Sequence, residues 1–240
     1  MKNALLLTLF AFAGLLSLAQ NGKVINDGNA RKRNVQGFHG IHIASGIDLY
    51  LSQGNEEAVA VSAADPEWRD RIITQVENGI LHIYIEEHGF NWWNFGRRHM
   101  KAYVSCKQID QLSASGGSDV YIQDALHSDR LQMHLSGGSD LRGRMTVGDL
   151  SITQSGGSDS YVSGSAGTLF VHASGGSDYH GYELAADNCQ VEVSGGGDAY
   201  LTVNKELTAH ASGGGDIHYK GSGVVRESHT SGGGSVSRRD

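Results

Sequence analysis

Five residues, Ser-Gly-Gly-Ser-Asp, recur through the second half of this chain and leave few folds open to it. They stand at 115–119, 136–140, 155–159 and 174–178, become Ser-Gly-Gly-Gly-Asp at 194–198 and 212–216, and end as Ser-Gly-Gly-Gly-Ser at 231–235. The leading serines are 21, 19, 19, 20, 18 and 19 residues apart. A near-constant period with short alternating apolar runs on either side belongs to a stacked, one-dimensional β architecture. The 34 glycines against one proline would suggest disorder if they were aperiodic, but here they recur in register and read as turns.

Aligning the copies on the leading serine exposes one coil. The residues one, three and five places before it read Leu135/Met133/Leu131, Gln154/Ile152/Leu150, Ala173/Val171/Leu169, Val193/Val191/Cys189 and Ala211/Ala209/Leu207, a period-2 strand with its apolar face inward. After the aspartate the alternation resumes with Val120 and Ile122, Ser160 and Val162, Ala199 and Leu201, Ile217 and Tyr219. Each coil is then strand, glycine-rich corner, strand and a variable connection. Strands one coil apart must run parallel, so the expected fold is an all-β, single-stranded parallel β-helix, with the right-handed form favoured. The glycines suit a corner that visits positive φ, where a Cβ is costly. The serines can bond the backbone amides freed there.

Lys2, the apolar stretch Ala4–Leu16 and Ser17-Leu18-Ala19 have the form of a cleavable secretory signal over residues 1–19, too short for a comfortable membrane span. Residues 20–37, with Arg31-Lys32-Arg33, read as a flexible, solvated leader. A single β-helix domain follows over 38–240, with N-terminal coils and a hairpin in 38–110 and the regular repeats in 111–235. Asp65-Pro66-Glu67 reads as a helix start running to about Ile72. Asn78-Gly79 between alternating apolar residues signals a hairpin. Gly89-Phe90-Asn91-Trp92-Trp93-Asn94-Phe95 is the densest aromatic cluster, and a cap over one end of the core is favoured over a ligand platform built on Trp92 and Trp93.

The chain as given carries −7, and loss of a signal containing one lysine would leave −8, a poor balance for binding nucleic acid. Cys106 and Cys189 fall four coils apart, roughly 19 Å at about 4.8 Å per coil, well past the roughly 7 Å that a disulfide tolerates. Two buried thiols are expected.

Outward positions form ladders. The corner carries Asp119, Asp140, Asp159, Asp178, Asp198 and Asp216. Carboxylates at that spacing repel by roughly 1 kcal/mol per pair in water, so hydrogen bonds, raised pKa values or a cation must offset the repulsion. Calcium is the one cofactor the pattern suggests, because Gly-Gly-x-Gly-x-Asp repeats bind it in parallel β-rolls. That motif recurs every nine residues, however, and the longer period here favours hydrogen-bonded corners. A second ladder, Tyr121, Arg142, Tyr161, His180, Tyr200 and His218, offers Tyr121, Tyr161 and Tyr200 as contacts for a glycan or a cell-surface protein, or else stabilises the sheet by stacking. A third, His134, Thr153, His172, Glu192, His210 and His229, could share a metal ion or form a solvated row. Catalysis finds little support. Carboxylates repeat on every coil instead of gathering at one, only Lys205 and Lys220 are lysines beyond residue 111, and no Gly-x-Ser-x-Gly or His-Glu-x-x-His motif occurs.

Phe38-x-x-Ile41-x-Ile43-x-Ser45-Gly46-Ile47-Asp48-Leu49-x-Leu51, the Asn78-Gly79-x-Leu81-x-Ile83 hairpin and the repeated corners together resemble the "putative auto-transporter adhesin, head GIN domain" family of exported Bacteroidetes-type proteins. The resemblance spans about residues 38–235. It implies a parallel β-helix-like fold, a periplasmic, cell-surface or secreted location and a binding role, and it brings no catalytic residues. The expectation is an exported, non-enzymatic solenoid serving adhesion through its ladders. The alternatives are a carbohydrate-active enzyme on the same scaffold and a calcium-stabilised spacer. The sequence leaves the oligomeric state open.

Overall fold

The computed structural model describes residues 26–85 and 99–239. The expected signal and the Trp92/Trp93 segment lie outside these residues. The chain forms a parallel β-solenoid of about 7 turns. In order, the strands are β1 (Arg31–Arg33), β2 (Gly40–Ile43), β3 (Asp48–Gln53), β4 (Ala58–Ser62), β5 (Ile72–Glu77), β6 (Ile80–Ile85), β7 (Lys101–Cys106), β8 (Gln111–Ala114), β9 (Val120–Leu135), β10 (Leu141–Gln154), β11 (Ser160–Gly175), β12 (Tyr179–Gly195), β13 (Ala199–Gly213), β14 (Asp216–Lys220), β15 (Val224–Thr230) and β16 (Ser235–Arg238). One short helix, α1 (Pro66–Arg71), precedes β5, with Asp65 accepting from the Glu67 amide as its cap.

Corner-to-corner register follows the alignment of the serines. Leu141 faces Val120 on one side and Ser160 on the other, and Gln154 faces Leu135 and Ala173. The residues placed inward by period-2 alternation form one continuous core, from Ile41 and Leu49 through Met133, Leu150 and Val191 to Ile217. Gln154 is buried without loss, because its amide donates to the Ser158 carbonyl at 3.2 Å and its oxygen accepts from Ser160 at 2.7 Å. Tyr179 fits between small neighbours, Ser160 and Ala199, on adjacent coils, and Gly181 leaves room for its ring. The alternation fails at the last full corner, where Tyr219 is only half-buried while the outward His218 is buried against the following strand.

The stretches expected as variable connections are strand. β9 runs unbroken from Val120 to Leu135, and β10 to β13 do the same between their corners. The spread in repeat length is absorbed within these strands. Two extra residues opposite Arg142/Arg144 lengthen the 21-residue repeat, and one opposite Tyr161/Ser163 lengthens the 20-residue repeat, each as a β-bulge. The corners therefore keep constant geometry while the coil lengths vary.

The N-terminal end closes differently. β5 pairs antiparallel with β6 across an Asn78-Gly79 turn with φ of 51° and 78°, as a two-residue hairpin requires. β4 pairs antiparallel with β7, and β1 with β4. The leader is thus ordered at Arg31–Arg33, because β4 offers it a free edge and Arg33 donates to the Arg69 carbonyl at 2.9 Å. Cys106 and Cys189 are both free and buried, and burial pushes their thiols up to about 11 and about 12.

Candidate functional site

The corner is built first by its backbone. The leading glycine of each motif has positive φ, 63° at Gly116 and 77° at Gly175. Ser45 stands in the same conformation at 67°, and the register Ile43↔Ala114 places Ala44-Ser45-Gly46-Ile47-Asp48 directly over Ser115–Asp119. Ala44–Asp48 is therefore a full corner, and the ladders begin one coil earlier than the repeats announce. The second serine of each motif points inward and is buried. Ser118 Oγ accepts from the Ile47 amide and Ser139 Oγ from the Ser118 amide, whereas Ser158 and Ser177 donate to the carbonyls of Ser155 and Ser174. From Gly197 onward that serine becomes glycine, because there the preceding coil's backbone lies where a Cβ would stand.

Each corner aspartate accepts a hydrogen bond from the backbone amide of the aspartate on the next coil. The distances are 3.1 Å from Asp140 N–H to Asp119, 3.4 Å from Asp159 to Asp140, 3.1 Å from Asp178 to Asp159, 2.8 Å from Asp198 to Asp178 and 3.0 Å from Asp216 to Asp198. Asp216 ends the series by accepting from both the amide and the hydroxyl of Ser235. Asp48 starts it, accepting from the Asp119 amide. Burial, followed by the Asp119 carboxylate, pushes Asp48 above the usual carboxylate range. At the open end the Ser235 hydroxyl bond pulls Asp216 below it. These bonds are the offset that like charges on neighbouring coils require. Among the described residues no three His, Cys, Asp or Glu side chains converge as metal ligands would.

The second ladder lies two residues after the first. Tyr103, Tyr50, Tyr121, Arg142, Tyr161, His180, Tyr200 and His218 occupy successive rungs. Tyr50 stacks on Tyr103 at 5.3 Å and on Tyr121 at 5.2 Å, and the Arg142 guanidinium lies 4.8 Å over Tyr161. Tyr161 stacks on His180 at 4.4 Å, and His180 on Tyr200 at 5.2 Å. The ring faces are thus turned along the solenoid axis and cover one another. The hydroxyls of Tyr121 and Tyr200 fold back to donate to Asp119 at 3.3 Å and Asp198 at 3.2 Å. Burial and those carboxylates raise both phenols above their ordinary range. Tyr121, Tyr161 and Tyr200 therefore present edges outward, a different surface from the open ring faces on which a sugar stacks.

The third ladder extends further than the repeats show, through His82, His42, Ser113, His134, Thr153, His172, Glu192, His210 and His229. His172 meets Glu192 at 3.3 Å, and His210 lies 3.8 Å from Glu227. An open depression of about 310 Å³ follows this row, lined by His172, Glu192, His210, His229 and the corner serines Ser194, Ser212 and Ser231. Beside it, four places before each leading serine, runs a row that sequence reasoning missed: Gln111, Gln132, Ser151, Phe170, Gln190, Thr208 and Glu227. Phe170 is 42% exposed within that polar row. Registering the repeats at this position would have shown the lone aromatic.

No curated protein matches the chain. Its structure superposes on several solved ones. A "putative adhesin" from Bacteroides fragilis is 21% identical, with a TM-score of 0.79 over 88% of this chain and 96% of that one. A "putative lipid binding protein" from Parabacteroides distasonis is 19% identical, with a TM-score of 0.67 over 89% and 98%. A "putative adhesin" from Parabacteroides merdae is 16% identical, with a TM-score of 0.67 over 88% and 95%. Residues 37–223 match the "putative auto-transporter adhesin, head GIN domain" family across its corners, its hairpin and its first coils alike, and the chain belongs to that family.

Proposed function

We propose that this protein is an exported, non-enzymatic adhesion module that holds a glycan or cell-surface protein on the face bearing Phe170, His172, Glu192 and His210. The observation that carries this reading is the unequal commitment of the ladders. The corner carboxylates hold amides of the next coil and the aromatic rings hold one another, whereas Phe170 stands exposed within a polar row beside His172. Aromatic side chains are enriched in protein interfaces, where they serve as anchors surrounded by polar contacts. A hydrolase or lyase would need a group of carboxylates free to exchange protons, and those of the corner are held by backbone donors.

The test is retention of the purified chain on mucin-coated and fixed-cell surfaces, with a glycan array alongside. Phe170→Gln, which matches the Gln190 rung, leaves the fold intact and lowers retention at least tenfold. Tyr161→Phe leaves retention unchanged. Equal retention of wild type and Phe170→Gln, or release of sugar from the glycans, would overturn the proposal.

A further inference from the structure

The two ends of the solenoid are finished differently. At the N-terminal end β1, β4 and β5 run antiparallel to the strands they cover, and β1 carries Arg31-Lys32-Arg33 along the edge. Charged, reversed strands of this kind discourage further pairing. At the other end β15 pairs with β13, and among the described residues nothing pairs with its outer side. All of β15 is exposed except Val225, and Val224 is 59% exposed.

The direction of the hydrogen bonds decides what that edge can accept. The Ser231 amide donates inward to Ala211 at 3.0 Å. By alternation Ser228 and Thr230 aim their N–H and C=O groups outward, away from β13. In a twofold antiparallel pair only residues of like parity can face each other, so the axis must pass through one residue and its own copy. An axis at Arg226, Glu227 or His229 would set like side chains against each other. Ser228, with its amide and carbonyl outward, puts Glu227 opposite His229 of a second copy, and His229 opposite its Glu227. Arg226 then faces Thr230.

We propose that β15 is the seam of a twofold homodimer, pairing antiparallel with β15 of a second copy about Ser228. Two Glu227–His229 contacts flank the axis at the Cβ spacing of about 4.5–5.5 Å found across antiparallel strands. His210, already 3.8 Å from Glu227, lies on the same side. A seam this short is at the small end of specific interfaces, so association depends on concentration.

Sedimentation equilibrium of the purified chain over a wide concentration range tests the seam. The expected result is a reversible monomer–dimer equilibrium. Glu227→Lys removes the carboxylate that His229 meets, and His229→Glu sets two carboxylates across the axis; each weakens dimerisation about tenfold. An equal mixture of the two restores it, because Lys then faces Glu and His faces Glu. Ser228→Pro removes the central outward amide and abolishes the dimer, with circular dichroism reporting that the coils persist. A monomer at every concentration would overturn the proposal, as would a dimer indifferent to all three substitutions. Failure of the mixture to recover would also overturn it, since it would assign the contact, whether to the chain's own segments or to another protein, away from the Glu227–His229 pairing.

Discussion

At the scale of the residue, the corner aspartate has two tasks that substitution can separate. Asp178 accepts from the Asp198 amide at 2.8 Å while its own amide donates to Asp159. Asp178→Ala leaves the Asp198 amide unpaired in a half-buried corner and should cost about 1–3 kcal/mol in urea unfolding. Asp178→Asn keeps an acceptor and removes charge, so its cost should be clearly smaller. At a calcium site asparagine would instead lose most of a calcium-dependent stabilisation, because its neutral amide is a poorer ligand than the carboxylate. The hydrogen-bonded corner therefore also predicts a melting temperature that chelator and excess calcium leave unchanged. Asp48 contributes a pH dependence of its own. Burial and Asp119 raise its folded pKa above the unfolded value, so its destabilising ionisation is absent at low pH and sets in as pH rises through the folded pKa. Asp48→Asn should therefore melt higher than wild type at pH 7, and the gap should close as pH falls toward about 4.

At the scale of the element, the coil is a constant corner joined to a strand that tolerates bulges. Two glycines show why the tolerance differs from place to place. Gly117 has a φ of 73° and nothing within 4 Å of where a Cβ would stand, so Gly117→Ala should cost only the left-handed strain of about 1–2 kcal/mol. Gly164, at 113°, would drive a Cβ into the Met145 carbonyl oxygen of the coil below. Backbone cannot rotate aside as a side chain can, so Gly164→Ala should cost about 3 kcal/mol or more and break the β10–β11 pairing locally. Thermal unfolding of the two variants side by side checks the order. The same crowding explains why the motif changes from Ser-Gly-Gly-Ser-Asp to Ser-Gly-Gly-Gly-Asp at Gly197.

At the scale of the molecule, the parallel pairings of the described residues join adjacent coils, and the solenoid behaves as a one-dimensional stack. Leu141 and Ser160 occupy the same rung position, and so do Asp140 and Asp159. Removing residues 141–159, one repeat of 19 residues, rejoins Asp140 to Ser160 in register. The shortened chain should fold with the same circular dichroism signature. Its denaturant slope should fall in proportion to one turn in about 7, since the slope scales with the surface exposed on unfolding. Collapse of the shortened chain would mean that the coils are not interchangeable.

Period and alternation were enough to determine the parallel stack, the inward residues from Leu131 to Ala211, the corner aspartates and the two buried thiols. Each of these depends on spacing along one strand and its copy a coil away, and a repeated sequence displays such spacing openly. The tertiary structure decided what the rows do. Only the stacking of coils turned Asp178 from a repulsive charge into an acceptor for the Asp198 amide. The same stacking laid the ring of Tyr161 against Arg142 and His180, closing the faces that a sugar would need. Ser45-Gly46-Ile47-Asp48 resembles only a shortened copy of the repeat, because alanine and isoleucine replace the serines of the corner, and the backbone pairing at Ala114 shows its full register. Phe170 went unmarked because one exposed aromatic on a strand carries no period of its own. It acquires a setting only when the glutamines, serine and threonine of neighbouring coils are brought beside it.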